Sequence, residues 1–452
     1  MPRLFSVEER MGHLRKRDLD AFLWTLPSRA GRRRVVRHLL SGCADCGARI
    51  LNSAPMEQEA VYDSCIDRAL QATRSQEDLW RLEREKRDRA LALVRSKGWD
   101  KLTWKEYQSL PKGWARVELL LVVCFEARYR DPRLMLRLAQ TARSVAAKLD
   151  PAVYGARRLA DLQVRATAEL ANALRVNEQF DSVREYLKRA RRMLDEQGTG
   201  DLLIQARIDD IEGSFWKDRR YLTDAEELLA SAYRKYLRIG ERHLAGRTLV
   251  TKGICRFVAG QPREAVVSLR QAVPLLDPDR DPQLIETAQH NLLFALADAG
   301  EYREASELLL QSGLRQKFAD DPLNLLRLRW VEAKILIGHG RFVDAEKALS
   351  DVRASFRLRR LELVATIVGL DLAKVLFQQG KLDQLYTLVR ELRIAAEAYR
   401  LSDSVSRALG MLETTCQVQV VTLAMIEAVQ RFFHRLQYNP DFTWTHELLL
   451  QR

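Results

Sequence analysis

A short pattern returns every 40 residues along the chain, and it limits the possible folds more than any other feature of the sequence. Its clearest marks are Gly260, Gly300, Gly340 and Gly380. Two places after each glycine comes Pro262, Tyr302, Phe342 or Leu382, and five places after comes Ala265, Ala305, Ala345 or Leu385. Seven places before stands Gly253, Leu293, Ala333 or Ala373. One period earlier Arg220 takes the glycine slot while Gly213, Leu222 and Ala225 keep the others. A further small position, twelve after the turn mark, recurs as Ala190, Ala232, Ala272 and Ser312. Such a unit reads as two antiparallel helices. The glycine ends the first helix, where left-handed backbone costs it little. The small residue before it lets the helices approach, and the alanine after it packs the second on the first. A lone hairpin cannot bury both faces, so the units must stack into a solenoid.

The composition agrees. Apolar residues make up 47% and charged residues 30% of 452, with only 21 glycines and 12 prolines, which favours an all-α chain with short turns. The first residues, MPRLFSVEERMGHLRKRDLD, are charged and have no apolar core of the kind a secretory signal needs. The longest apolar run, Leu119 to Phe125, falls far short of the roughly 20 residues of a membrane span. A cytoplasmic protein without a membrane partner is expected. Cys65, Cys124, Cys255 and Cys416 stand alone and read as buried thiols. The net charge of +13 favours acidic partners, with solubility as the plainer reading.

Residues 1–52 form a separate region. A helical pattern up to Leu26 is broken at Pro27, Ser28 is a candidate N-cap, and a second helix runs from Arg29 to about Leu40 before Ser41-Gly42 stops it. Then come Cys43 and Cys46, which can chelate one metal ion, with His38 just before them at a helix end. Folding the two helices back at Pro27 brings His13 near His38 as a fourth ligand. A region this small gains from a metal staple. An ordinary thiol pair and a redox dithiol are the other readings of Cys43 and Cys46, although no thioredoxin-like βαβ pattern surrounds them. The stretch RRRVVRHLLSGCADCGARI resembles the zinc-binding anti-sigma fold of bacterial regulators over about residues 8–52, with His38-x4-Cys43 in place of the usual His-x3-Cys. That resemblance implies a structural zinc held by His13, His38, Cys43 and Cys46, and a sigma factor as a possible partner. Arg29, Arg32, Arg33, Arg34 and Arg37 make a basic face there. It reads first as a solvated face, then as a contact for an acidic protein, and last as a nucleic-acid surface, because no helix-turn-helix pattern accompanies it.

Residues 53–115 read as a helical adaptor, with i,i+4 pairing expected between Glu83 and Arg87 and a packed aromatic corner at Trp99, Trp104, Tyr107 and Trp114. From 116 to 452 the helical hairpins follow, ending in capping helices, with Phe442 and Trp444 in a tail placed to fold back on the last helix. The recurring small, glycine, aromatic and alanine slots resemble the tetratricopeptide repeat over roughly 116–435, although that repeat usually has about 34 residues. The resemblance implies a right-handed α-solenoid of about seven to eight hairpins whose first helices line a concave binding groove. Carried onto this chain, the groove positions are Arg165, Asn172, Arg175, Arg207, Lys217, Arg247, Phe257, His290, Phe294, Arg327, Trp330, Lys334, Lys374 and Phe377. Such a groove is basic with aromatic steps and suits a peptide or protein partner carrying acidic groups and apolar anchors. A His–Cys-x2-Cys arm joined to long repeats also resembles a group of bacterial tetratricopeptide proteins, a likeness that implies no activity.

No phosphate-binding glycine loop, HExxH or GxSxG is present, so a non-enzymatic scaffold or adaptor is the expected function. An anti-sigma-type regulator, whose arm holds a sigma factor while the repeats sense a signal, is the alternative.

Overall fold

The computed structural model describes residues 13–24, 28–40, 43–53, 59–399, 401–438 and 442–445. Every element in them is an α-helix or a short 3-10 turn, and no strand occurs among the described residues. The chain divides into two compact units, Met1–Ala92 and Leu93–Arg452.

The first unit holds the helices Lys16–Trp24, Arg29–Leu40 and Ala44–Ser53, and most of the long helix Glu59–Lys97. Ser28 caps the second helix by accepting a hydrogen bond from the Gly31 backbone N–H at 3.2 Å. The Ser41-Gly42 stop lies outside the described residues. A small core of Leu14, Leu19, Val35 and Cys46, flanked by Phe22, Leu39, Cys43 and Ile50, joins the first three helices. On the long helix, Glu83 pairs with Lys86 at 3.1 Å and Arg87 with Asp88 at 2.7 Å, instead of with each other. The nearer neighbours on the helix surface take both charges.

In the second unit Trp104 is exposed, so the aromatic corner does not close over it. Eight hairpins follow. They pair Trp114–Ala127 with Pro132–Ala146, Ala156–Val176 with Val183–Gln197, Leu202–Asp218 with Leu222–Arg238, and Arg242–Val258 with Pro262–Ala272. Then Pro282–Ala299 pairs with Tyr302–Ser312, Pro322–Gly338 with Phe342–Leu358, Glu362–Gln378 with Leu382–Ala398, and Asp403–Gln417 with Leu423–Tyr438. Several first helices start at an Asp-Pro step. Asp131, Asp281 and Asp321 accept hydrogen bonds from backbone N–H groups of the first turn, and Pro at the first helical position gives up an N–H that the helix does not use.

The repeat slots do what their chemistry dictates. Gly260, Gly300, Gly340 and Gly380 have φ between 69° and 82°, and Arg220 adopts φ 67° in the same slot. Glu178 and Gln419 take that conformation in the flanking hairpins, and Arg360 takes it between units. Ala225, Ala265, Ala305, Ala345 and Leu385 are fully buried, as are Ala190, Ala232 and Ala272. At Gly253 an added Cβ would lie 2.6 Å from Leu269 Cγ, so only glycine permits that approach. The thiols of Cys124, Cys255 and Cys416 are buried and free, and burial pushes Cys255 up to about 12 and Cys416 up to about 11.

The last hairpin departs from the pattern. Leu423–Tyr438 leaves its partner and packs chiefly on Glu362–Gln378. Ile426, Val429, Phe432 and Phe433 join the core there, and Phe442 and Trp444 fold back to within 6.0 and 5.3 Å of the Phe432 ring. None of the described helices is long and apolar enough to cross a membrane.

Two substitutions test this account by urea unfolding. Gly253→Ala should cost about 1–3 kcal/mol through overpacking against Leu269. Arg360→Gly should gain about 0.5–1 kcal/mol by relieving a left-handed non-glycine residue.

Candidate functional site

The first helices of the hairpins line two clefts. The larger, about 850 Å³, is bounded by Phe257, His290, Phe294, Arg327, Trp330 and Lys334, with Tyr129, Phe318 and His434 brought in from other elements. The second, about 770 Å³, takes Asn172, Arg175, Arg207, Lys217 and Arg247, together with Phe125, Arg128 and Asp210. Eleven of the fourteen groove positions read from the sequence therefore face a cleft. The other three do not. Arg165 is turned against Glu118, Lys374 pairs with Glu427 of the last helix at 2.6 Å, and Phe377 packs against the core.

The cations of this face are mostly paired. Arg207 bonds Glu169 at 2.6 Å and Asp210 at 2.9 Å, and Arg247 bonds Asp210 at 2.5 Å. Arg175 and Lys217 share Asp218, and Lys334 bonds Asp298 at 2.6 Å with Asp371 at 3.7 Å. Burial alone would raise the Glu169 carboxyl, but Arg207 outweighs it and holds the group below the usual carboxylate range. Burial would likewise lower Lys334, and Asp298 and Asp371 reverse the shift. At Asp371 burial wins and pushes the carboxyl up despite Lys334. The expected basic groove is thus neutralised from within, by carboxylates on neighbouring first helices.

The aromatic steps form a continuous run. Phe257 meets Phe294 at 6.5 Å, Phe294 meets Trp330 at 5.6 Å, and Trp330 meets Phe356 at 6.2 Å, all edge-on. His290 stands edge-on to both Phe294 and Phe318. His434 meets the Phe257 ring at 5.1 Å, and its Nε2 lies 3.2 Å from the Phe257 carbonyl oxygen. Trp330 Nε1 donates to Asp371 Oδ2 at 2.7 Å, and Gln430 donates to Asp371 Oδ1 at 3.0 Å. Asp210 falls at a groove position by its spacing, but sequence reasoning missed Asp371. The available signal was an acid inside an otherwise apolar first helix, as in GLDLAK.

In the first unit the four candidate ligands do come together. One ligand atom from each of His13, His38, Cys43 and Cys46 lies within 4.8 Å of the others, a group able to hold a metal ion. His13 Nδ1 lies 3.4 Å from Cys43 Sγ and 3.8 Å from Cys46 Sγ. Tetrahedral bonds of ~2.3 Å to sulfur and ~2.0 Å to nitrogen set S and N about 3.5 Å apart, so the donor spacing fits zinc. The other nitrogen, Nε2, faces Asp45 Oδ2 at 3.5 Å, the position of a carboxylate that orients a ligating imidazole. Burial pushes the Cys46 thiol up, so a cation is what would keep it ionised.

No protein-family model matches the sequence, and no curated protein matches it. Among solved structures the chain is similar to a Rap protein complexed with competence and sporulation factor. The TM-score is 0.50 and the identity 11%, over 72% of this chain and 88% of that one. It is also similar to aspartyl phosphate phosphatase F from Bacillus subtilis, with a TM-score of 0.43, 14% identity and coverage of 62% and 70%. A third similar structure is the apo form of RapI, with a TM-score of 0.42, 15% identity and coverage of 63% and 97%. At such identities the likeness is one of fold. The protein is a tetratricopeptide-like helical-repeat solenoid.

A pH effect follows from His290. Burial, with Arg327 nearby, lowers its pKa from 6.5 to about 4. The unfolded imidazole takes a proton below about 6.5 and the folded one only below about 4. Its contribution to stability is therefore intact above the first value and lost as pH falls toward the second. In His290→Leu the loss of stability between about pH 7 and about pH 4.5 should shrink by about 2 kcal/mol, measured by urea unfolding at both values.

Proposed function

We propose that the protein is a non-enzymatic interaction scaffold whose repeats bind a peptide or protein partner in the cleft lined by Phe257, Phe294 and Trp330. The observation that carries this reading is the aromatic run along a cleft of about 850 Å³, which offers anchoring sites for apolar side chains beside a polar rim of Gln283, Asn291 and Asn324. Because most cations of the face are paired, apolar anchors rather than acidic groups supply the affinity. The Rap protein solved in complex with competence and sporulation factor has the same class of fold, which supports a binding role for it here. In the first unit, His13, His38, Cys43 and Cys46 hold a structural zinc that staples three short helices around a very small core.

Two measurements test these readings. A photo-crosslinking amino acid at Arg327, exposed in the cleft, should capture a discrete partner from the native host. The same residue at Leu310, exposed on a second helix, should not. Equal labelling at both positions would remove the cleft from the account. Metal analysis of protein purified without chelator should give about one zinc per chain, absent from Cys43→Ser/Cys46→Ser.

A further inference from the structure

From the surface of the first unit, we infer that the helix Arg29–Leu40 binds the phosphodiester backbone of nucleic acid through Arg32, Arg33, Arg34 and Arg37. The residues 13–53 carry nine Lys/Arg against three Asp, and the helix Arg29–Leu40 contains no acid at all. Its inward face is fixed by Val35 and His38, both buried. That leaves the four arginines exposed on the remaining surface. Arg15, Lys16 and Arg17 are exposed as well. They begin two residues after His13, which meets His38, so they stand near the same end of the arm as Arg37. Two thiolates offset the charge of a divalent ion, so a filled metal site would leave this excess of positive charge unchanged.

The sequence alone ranks nucleic acid last for this face. The structure reverses that order through what accompanies the arginines. A protein interface needs a desolvated core with aromatic or large apolar anchors, and a stable membrane contact needs apolar insertion as well as charge. Among the described side chains of 13–53, Val36 is the one large apolar residue that is exposed. Four exposed guanidinium groups with Val36 as the one exposed large apolar neighbour among the described side chains match an evenly charged polyanion, which needs charge and hydrogen-bond donors but no pocket. Contacts from guanidinium groups to phosphate oxygens carry no sequence information, so the inferred contact is independent of sequence. This inference does not depend on the partner proposed for the repeats.

Fluorescence anisotropy of the full chain with a labelled 20-base-pair DNA duplex, and in parallel with single-stranded RNA, tests it between 50 and 200 mM salt. Binding should weaken as salt rises, with a log–log slope of about −3 to −4 for some four neutralised phosphates on DNA. Arg32→Glu/Arg33→Glu/Arg37→Glu should weaken binding by at least about tenfold, and the matching lysine triple should keep most of it. As a control for net charge, Arg303→Glu/Arg329→Glu/Arg359→Glu reverses three exposed arginines of the repeats and should change affinity by less than about threefold. Circular dichroism melts check that each variant folds. Equal loss in the control would overturn the proposal, as would no loss in the arm variant or no binding at 50 mM salt. Competition by poly-L-glutamate as strong as by duplex would assign the face to an acidic protein instead. A preference between the DNA and RNA arms would show which source of the backbone is bound.

Discussion

Successive first helices of the solenoid are joined by polar and aromatic contacts that step back one helical turn per unit. Asp210 reaches Arg247, 37 residues on, and Asp298 reaches Lys334, 36 residues on. Phe257 meets Phe294 and Phe294 meets Trp330 at the same separations. With a period of 40, each partner stands three or four residues short of the equivalent slot, which is one turn, ~5.4 Å along the helix. The stacking of the hairpins sets that offset. The clefts and the charge balance of the inner face follow from it. Removing Asp210 strands the buried Arg247, at a cost of about 3–5 kcal/mol, so such residues act as rivets between units.

The first unit solves a different problem. Its first three helices share four buried core residues, too few to hold them by burial alone. His13, His38, Cys43 and Cys46 bring the segment before the first helix, the end of the second helix and the start of the third together at one point. The helix Arg29–Leu40 carries no acidic residue, and its Arg32, Arg33, Arg34 and Arg37 are all exposed.

Much of the fold is legible from residue spacing. Gly253 falls where the Leu269 side chain leaves no room for a Cβ, and Gly260 where the backbone turns with positive φ. Arg220 is legible as a turn residue because its neighbours keep their slots, even though its own side chain argues against φ of 67°. The grouping of His13 with His38, Cys43 and Cys46 is legible because the first two helices are short and closely spaced in the chain. Arg165, Lys374 and Phe377 were not legible. Their slots are regular, but Glu118 and Glu427 lie 47 and 53 residues from the cations they hold, off the spacing that links neighbouring first helices, and Phe377 turns to the core.

The sequence by itself therefore determined the hairpin, its period and the meeting of His13, His38, Cys43 and Cys46, because each depends on residues within one or two units. Tertiary structure alone decided the sign of the inner face, because a cation at a groove position is free or paired according to a carboxylate some 37 residues away. It also decided where the last helix goes. Leu423–Tyr438 follows the repeat spacing yet settles on Glu362–Gln378, where Ile426, Val429 and Phe433 join a core that the spacing does not mark.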